Sequence, residues 1–128
     1  MTSTMKNLAT MLIIALFPIL AQSHHSTNAN FTQEIISVEG VIERVRYQNP
    51  HSSVLIKQTE ESGTERFWLL ESGARTTLER RGVSFLELEI GSRITATGRK
   101  GRRDYTMYLQ KITFADGSTF IPEPDLGR

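Results

Sequence analysis

The sequence predicts a mainly β protein, a small five- to six-stranded OB-like barrel with one short helix. Three observations predict it. Short runs mix β-branched residues with charge and are separated by turn dipeptides. Their order is three strands, a short helix, then two strands and a terminal return, which suits a barrel of the oligonucleotide/oligosaccharide-binding kind. The first strand also carries Gly40 in its middle, where a closing sheet needs a bulge or sharp bend. An open β-sandwich, or an antiparallel sheet backed by one helix, is the competing architecture.

Element by element, "IISVEGVIERVRY" (35–47) is the first strand, broken by Asn49-Pro50. "SSVLIKQ" (52–58) and "TERFWLLE" (64–71) flank a polar turn and read as a hairpin. Ser72 is placed to cap a short helix over residues 74–81, with Gly82 at its C-terminal end. "SRITATGRK" and "YTMYLQKITFA" are two further strands, and Asp116-Gly117 is a two-residue hairpin signal after which "STFI" folds back. The expected core is Val38, Val45, Val54, Ile56, Phe67, Leu69, Leu78, Ile94, Leu109, Ile112 and Phe114, with Trp68 and Tyr47 as core or rim packing.

The N-terminus reads as a targeting segment. Residues 8–20 are uncharged, follow Lys6 and end in small and polar residues, the layout of a secretory signal peptide. Interrupted by Pro18, the run is short of the roughly 20 residues a membrane span needs, which leaves an uncleaved anchor as the weaker alternative. Ala21-Gln22-Ser23 fits a cleavage site that leaves His24 first, and a cut after Ala21 is the other option. The division expected is therefore 1–23 signal peptide, 24–33 flexible arm, 34–121 barrel and 122–128 disordered tail. The expected location is periplasmic or secreted, with no stable membrane insertion after cleavage.

The whole chain carries 15 Lys+Arg against 14 Asp+Glu, and the signal segment takes away Lys6 and no acid. A formally neutral mature domain makes nucleic acid an unlikely partner, since phosphate binding normally shows a net basic face. There is no cysteine, so neither disulfide, thiol catalysis nor lipid attachment is available, and the fold must stand on its core.

His24-His25-Ser26, "GVIERVRYQNPH" (40–51), "LERRGV" (78–83), "IGSRITATG" (90–98) and "ITFADG" (112–117) together resemble a family of small exported bacterial proteins of unknown function, domain-of-unknown-function family 6152. The likeness spans nearly the whole mature chain. Its most specific parts are His24-His25-Ser26 and Asn49-Pro50-His51. The resemblance implies export and a small β-rich domain and carries no established activity. Two positions depart from the pattern: Tyr47 stands where tryptophan is expected, and Gly73-Ala74 where a proline-containing helix start is common.

Two constellations have chemical content. The first is nitrogen ligation of copper or a similar transition metal. Cleavage after Ser23 gives His24 a free α-amine beside its imidazole, and His51 supplies a third nitrogen, with His25 as alternate ligand. This resembles the histidine brace of some exported copper proteins, and such nitrogen sets favour Cu(II), which heads the divalent affinity order. Cleavage after Ala21 would instead begin Gln22-Ser23-His24, a second copper-binding arrangement. If the arm and first strand are straight they span roughly 36 and 40 Å, and a strand bent at Gly40 has a shorter chord, so the arm can reach His51 with little slack. The plainer alternative is a solvated tail, with His51 a loop residue on the Asn49-Pro50 turn.

The second constellation is "RKGRRD" (99–104), taken with "YQNPH" (47–51) as the two loops flanking the ligand face of the barrel. Here Tyr47, Asn49, Arg99, Lys100, Arg102 and Arg103 would form a metal-free module for an anionic ligand or a protein partner. The plainer alternative is a solvated hairpin tip whose charges keep an edge soluble. No nucleophile elbow, phosphate loop or zinc signature is present, so catalysis is not expected.

Overall fold

The computed structural model describes residues 23–123, with side chains from Thr27 onward. The signal-peptide assignment falls outside the described residues apart from Ser23, and so does the end of the expected tail, 124–128. No helix among the described residues is long and apolar enough to cross a membrane.

The architecture follows from one long strand. β1 (Phe31–Arg46) has 16 residues, against a usual length of about 5–6. Its first part pairs antiparallel with β4 (Arg93–Gly101), from Phe31 opposite Gly101 to Val41 opposite Arg93. Its second part pairs with β2 (Ser53–Thr59), from Val41 opposite Lys57 to Arg46 opposite Ser53. The change of partner falls at Gly40 and Val41, where a Cβ on Gly40 would stand 2.8 Å from the Lys57 carbonyl oxygen. A register shift between Ile42 and Arg44 sharpens the bend, as bulges do. The bend expected at Gly40 is thus the corner of the barrel.

β3 (Glu65–Glu71) continues antiparallel from β2, and β5 (Thr106–Phe114) continues from β4. The ring closes where β3 and β5 run parallel, Leu69 opposite Thr106 to Glu71 opposite Tyr108. A short β6 (Thr119–Phe120) extends β5. The cycle β1-β2-β3-β5-β4 with a helix after β3 has the connectivity of the OB barrel, so the expected fold class holds.

The interior is filled by Ile42, Val54, Ile56, Leu70, Ile94, Leu109 and Ile112, all at most 1% exposed. One end is plugged by Leu78 from α2 (Arg75–Arg80) and Phe85 from the 3-10 turn Phe85–Glu87. Of the expected core, Phe67 is 50% exposed and Leu69 half-buried. In β3 the inward residue is Leu70, and a one-residue choice of phase moves every side chain to the other face.

Two local expectations change. Ser72 does not cap α2: it is buried, its hydroxyl has no partner among the described residues, and its N–H donates to the Ser52 carbonyl at 2.9 Å. The cap comes from across the molecule, where the Asn49 side-chain oxygen accepts from Thr76 N–H at 3.2 Å. Satisfying one of the orphan donors of a helix start is worth about 1 kcal/mol. Asn49→Ala is expected to lower unfolding free energy by that amount in urea titration, with no change in the slope. The Asp116-Gly117 turn is a three-residue loop, with Gly117 at φ 85° and Asp116 accepting from Ser118 N–H at 2.8 Å.

At the termini, residues 24–30 assigned to an arm lie in α1 (Ser23–Asn30), and β1 starts at Phe31 rather than near Ile35. Phe31 is buried and its ring packs on Tyr108, centroids 5.4 Å apart, which explains the earlier start. At the other end Pro122 is fully buried and Glu123 accepts the Tyr108 hydroxyl at 2.6 Å, so the barrel includes two residues assigned to the tail. Burial and this bond hold the Tyr108 phenol well above the ordinary tyrosine range.

A candidate metal site at the mouth of the barrel

His51 lies in the β1–β2 connection, just before β2. The ladder continues past the strands: Ser52 N–H donates to the Gly73 carbonyl and Ser72 N–H to the Ser52 carbonyl, both at 2.9 Å. Ser53 pairs with Glu71 at the end of this ladder, and His51 is two residues before Ser53. Glu71 is also opposite Tyr108 across the parallel closure. One imidazole and one carboxylate therefore line the same cleft near the point where the barrel closes.

The N-terminal helix lies against this point. Thr27, Asn30, Phe31, His51, Glu71 and Tyr108 line one cleft of about 50 Å³. That is far below the 300–1,000 Å³ of a small-molecule pocket and leaves room for an ion and little else. His24 is three residues before Thr27 in α1, one turn or about 4.5 Å along the helix axis, and the i, i+3 relation places the two positions on one face. The sequence estimate treated the arm as extended and the strand as straight. The helix shortens the first and barrel curvature returns the start of β1 to the end where His51 sits.

The residues of the basic stretch hold α1 in place. Arg99 is in β4, not in a loop; its guanidinium donates to the Thr32 carbonyl at 2.8 Å, to the Asn28 side-chain oxygen at 2.9 Å and to the Phe31 carbonyl at 3.4 Å. Arg102 N–H caps the helix by donating to the Asn30 carbonyl at 2.9 Å. Lys100, also in β4, pairs with Glu34 at 3.5 Å. Arg103 pairs with Glu71 at 3.5 Å.

The remaining predicted ligand residues face inward to their own chain. The Tyr47 hydroxyl donates to the Val83 carbonyl at 3.0 Å, its ring stacks on Phe85 at 5.9 Å, and the Arg75 guanidinium lies 5.1 Å over it. Asn49 caps α2 as described. The structure thus brings His51 to the cleft where α1 lies, while Tyr47 and Asn49 engage Val83 and Thr76 around α2 and Arg99 engages Thr32 and Asn28. Elsewhere Trp68 meets Tyr105 edge-on at 5.4 Å while Arg66 covers Tyr105 at 5.5 Å, an aromatic–cation cluster on β3 and the β4–β5 turn. Sequence reasoning passed over Glu71 because a lone glutamate at a strand end carries no signal until the register is known.

Among the described residues no three His, Cys, Asp or Glu side chains gather into one group. His51 and Glu71 are the two such residues in the lining of this cleft.

The fold and this cleft define a closed OB-type barrel whose N-terminal helix is strapped over its closure point. The chain belongs to a family of unknown function, DUF6152, whose model matches residues 13–109. No curated protein matches the chain. Among solved structures, a small single-stranded DNA-binding protein from Streptomyces coelicolor is similar at 12% identity and a TM-score of 0.39, over 76% of this chain and 96% of that one.

Proposed function

We propose that the mature protein is an exported, periplasmic or secreted binder of copper or a similar transition metal. Its ligands are the α-amine and imidazole of His24 and the imidazole of His51, with His25 as alternate. The observation that carries this reading is the cleft shared by His51 and α1, together with the bonds from Arg99 to Asn28 and from Arg102 N–H to the Asn30 carbonyl that hold that helix. A histidine pair on a solvated tail would need no such strapping.

The rival metal-free module is weakened by the same contacts. Five of its six residues already have side-chain partners in their own chain: Tyr47, Asn49, Arg99, Lys100 and Arg103. Such pairs on an exposed surface are individually weak, yet each ties up a group that a ligand would have to recruit.

The test is a competition titration of Cu(II) against a chromophoric chelator, using protein that begins at His24. His51→Ala is expected to weaken binding at least about tenfold, or ~1.4 kcal/mol. Unchanged affinity would sink the helix-to-barrel site and leave only a chelating terminus.

A further inference from the structure

Resting on that metal reading, we infer that Glu71 is the oxygen ligand of the same site and that Arg103 competes with the metal for it. Glu71 lines the cleft with His51. Its side chain is 25% exposed, against 76% for its partner Arg103. The carboxylate is therefore fixed at the closure of β3 on β5, while the arginine reaches in from solvent on the β4–β5 turn. The 3.5 Å pair is a loose one for a guanidinium and a carboxylate, whose charge-assisted bonds run at about 2.7–2.9 Å. An entering divalent cation, closer and doubly charged, displaces it.

Two consequences follow. The donor set is mixed nitrogen and oxygen, so it accepts borderline divalent ions such as Cu(II) and Zn(II) and gives no home to Cu(I), which favours thiolate and thioether. Metal binding also frees the Arg103 side chain, while the turn that carries it stays held by Thr106 Oγ1 on the Arg103 carbonyl and Leu69 N–H on the Tyr105 carbonyl. Occupancy of the cleft is thereby reported on the outer surface by one released cation.

Three variants of the mature protein, each checked for an unchanged far-ultraviolet spectrum and melting profile, are titrated with Cu(II) alone. Glu71→Gln is expected to weaken binding about tenfold. Arg103→Gln removes the competitor and is expected to tighten binding a few-fold. A Glu71 that serves only as an ion-pair partner would make both variants behave alike, which overturns the inference. If His51→Ala weakens binding and Glu71→Gln does not, the inference falls and the nitrogen site stands. If none of the three changes affinity, the site between helix and barrel falls with it.

Discussion

Acetylating the α-amine of a chain that begins at His24 is expected to weaken Cu(II) binding about a hundredfold, ~2.8 kcal/mol. The amine and the imidazole of one residue form a chelate, so blocking the amine removes both a donor and the ring it closes. The same group sets the pH dependence. An α-amine has a reference pKa near 7.7–8 and binds metal only without its proton. Below that range each pH unit therefore costs the free chain about tenfold in affinity through this amine alone. The acetylated chain loses that part of the slope as well as the affinity. Titrations at several pH values check both, and an acetylated chain with unchanged affinity and slope would remove His24 from the site.

Phe85→Ala is expected to lower the unfolding free energy by about 3–5 kcal/mol, a large part of the total for a domain of this size. Phe85 is fully buried. Its ring stacks on Tyr47 at an interplanar angle of 10° and meets Phe120 edge-on, with centroids 5.5 Å apart. It therefore ties the end of β1, the helical plug and the terminal β6 into one contact, and there is no disulfide to share the load. Denaturation in urea measures it, and a loss below about 1 kcal/mol would mean that the plug collapses around the gap. The cleft lies on the closure side of the barrel, built by β3, β5 and α1. At temperatures where the variant remains folded, its metal affinity should accordingly match that of the parent.

How much of this was legible in the residues varies with the kind of interaction. The strand order, the Gly40 corner and the barrel class follow from local patterning, because alternation and glycine placement act within a few residues. The phase of β3 was not legible: "RFWLLE" is apolar on both faces, and Leu70 rather than Leu69 points inward only because β3 pairs with both β2 and β5. The α2 cap was assigned to Ser72, the nearest suitable residue, whereas Asn49 reaches it from 27 positions away. Arg99 read as a loop cation for the same reason, since its carbonyl partners are more than sixty residues distant in sequence. The histidines themselves were visible at once. The place proposed for their meeting was not, for it depends on a helix and on the curvature of a 16-residue strand.

The central claim is that α1 delivers its metal donors to the barrel. The most direct test is electron paramagnetic resonance of the mature protein with one equivalent of Cu(II), set beside a synthetic peptide of residues 24–33. The site predicts an axial, nitrogen-rich spectrum that differs from that of the peptide and reverts toward it in His51→Ala. Identical spectra from protein and peptide would contradict it, because the metal would then be held by the terminus alone.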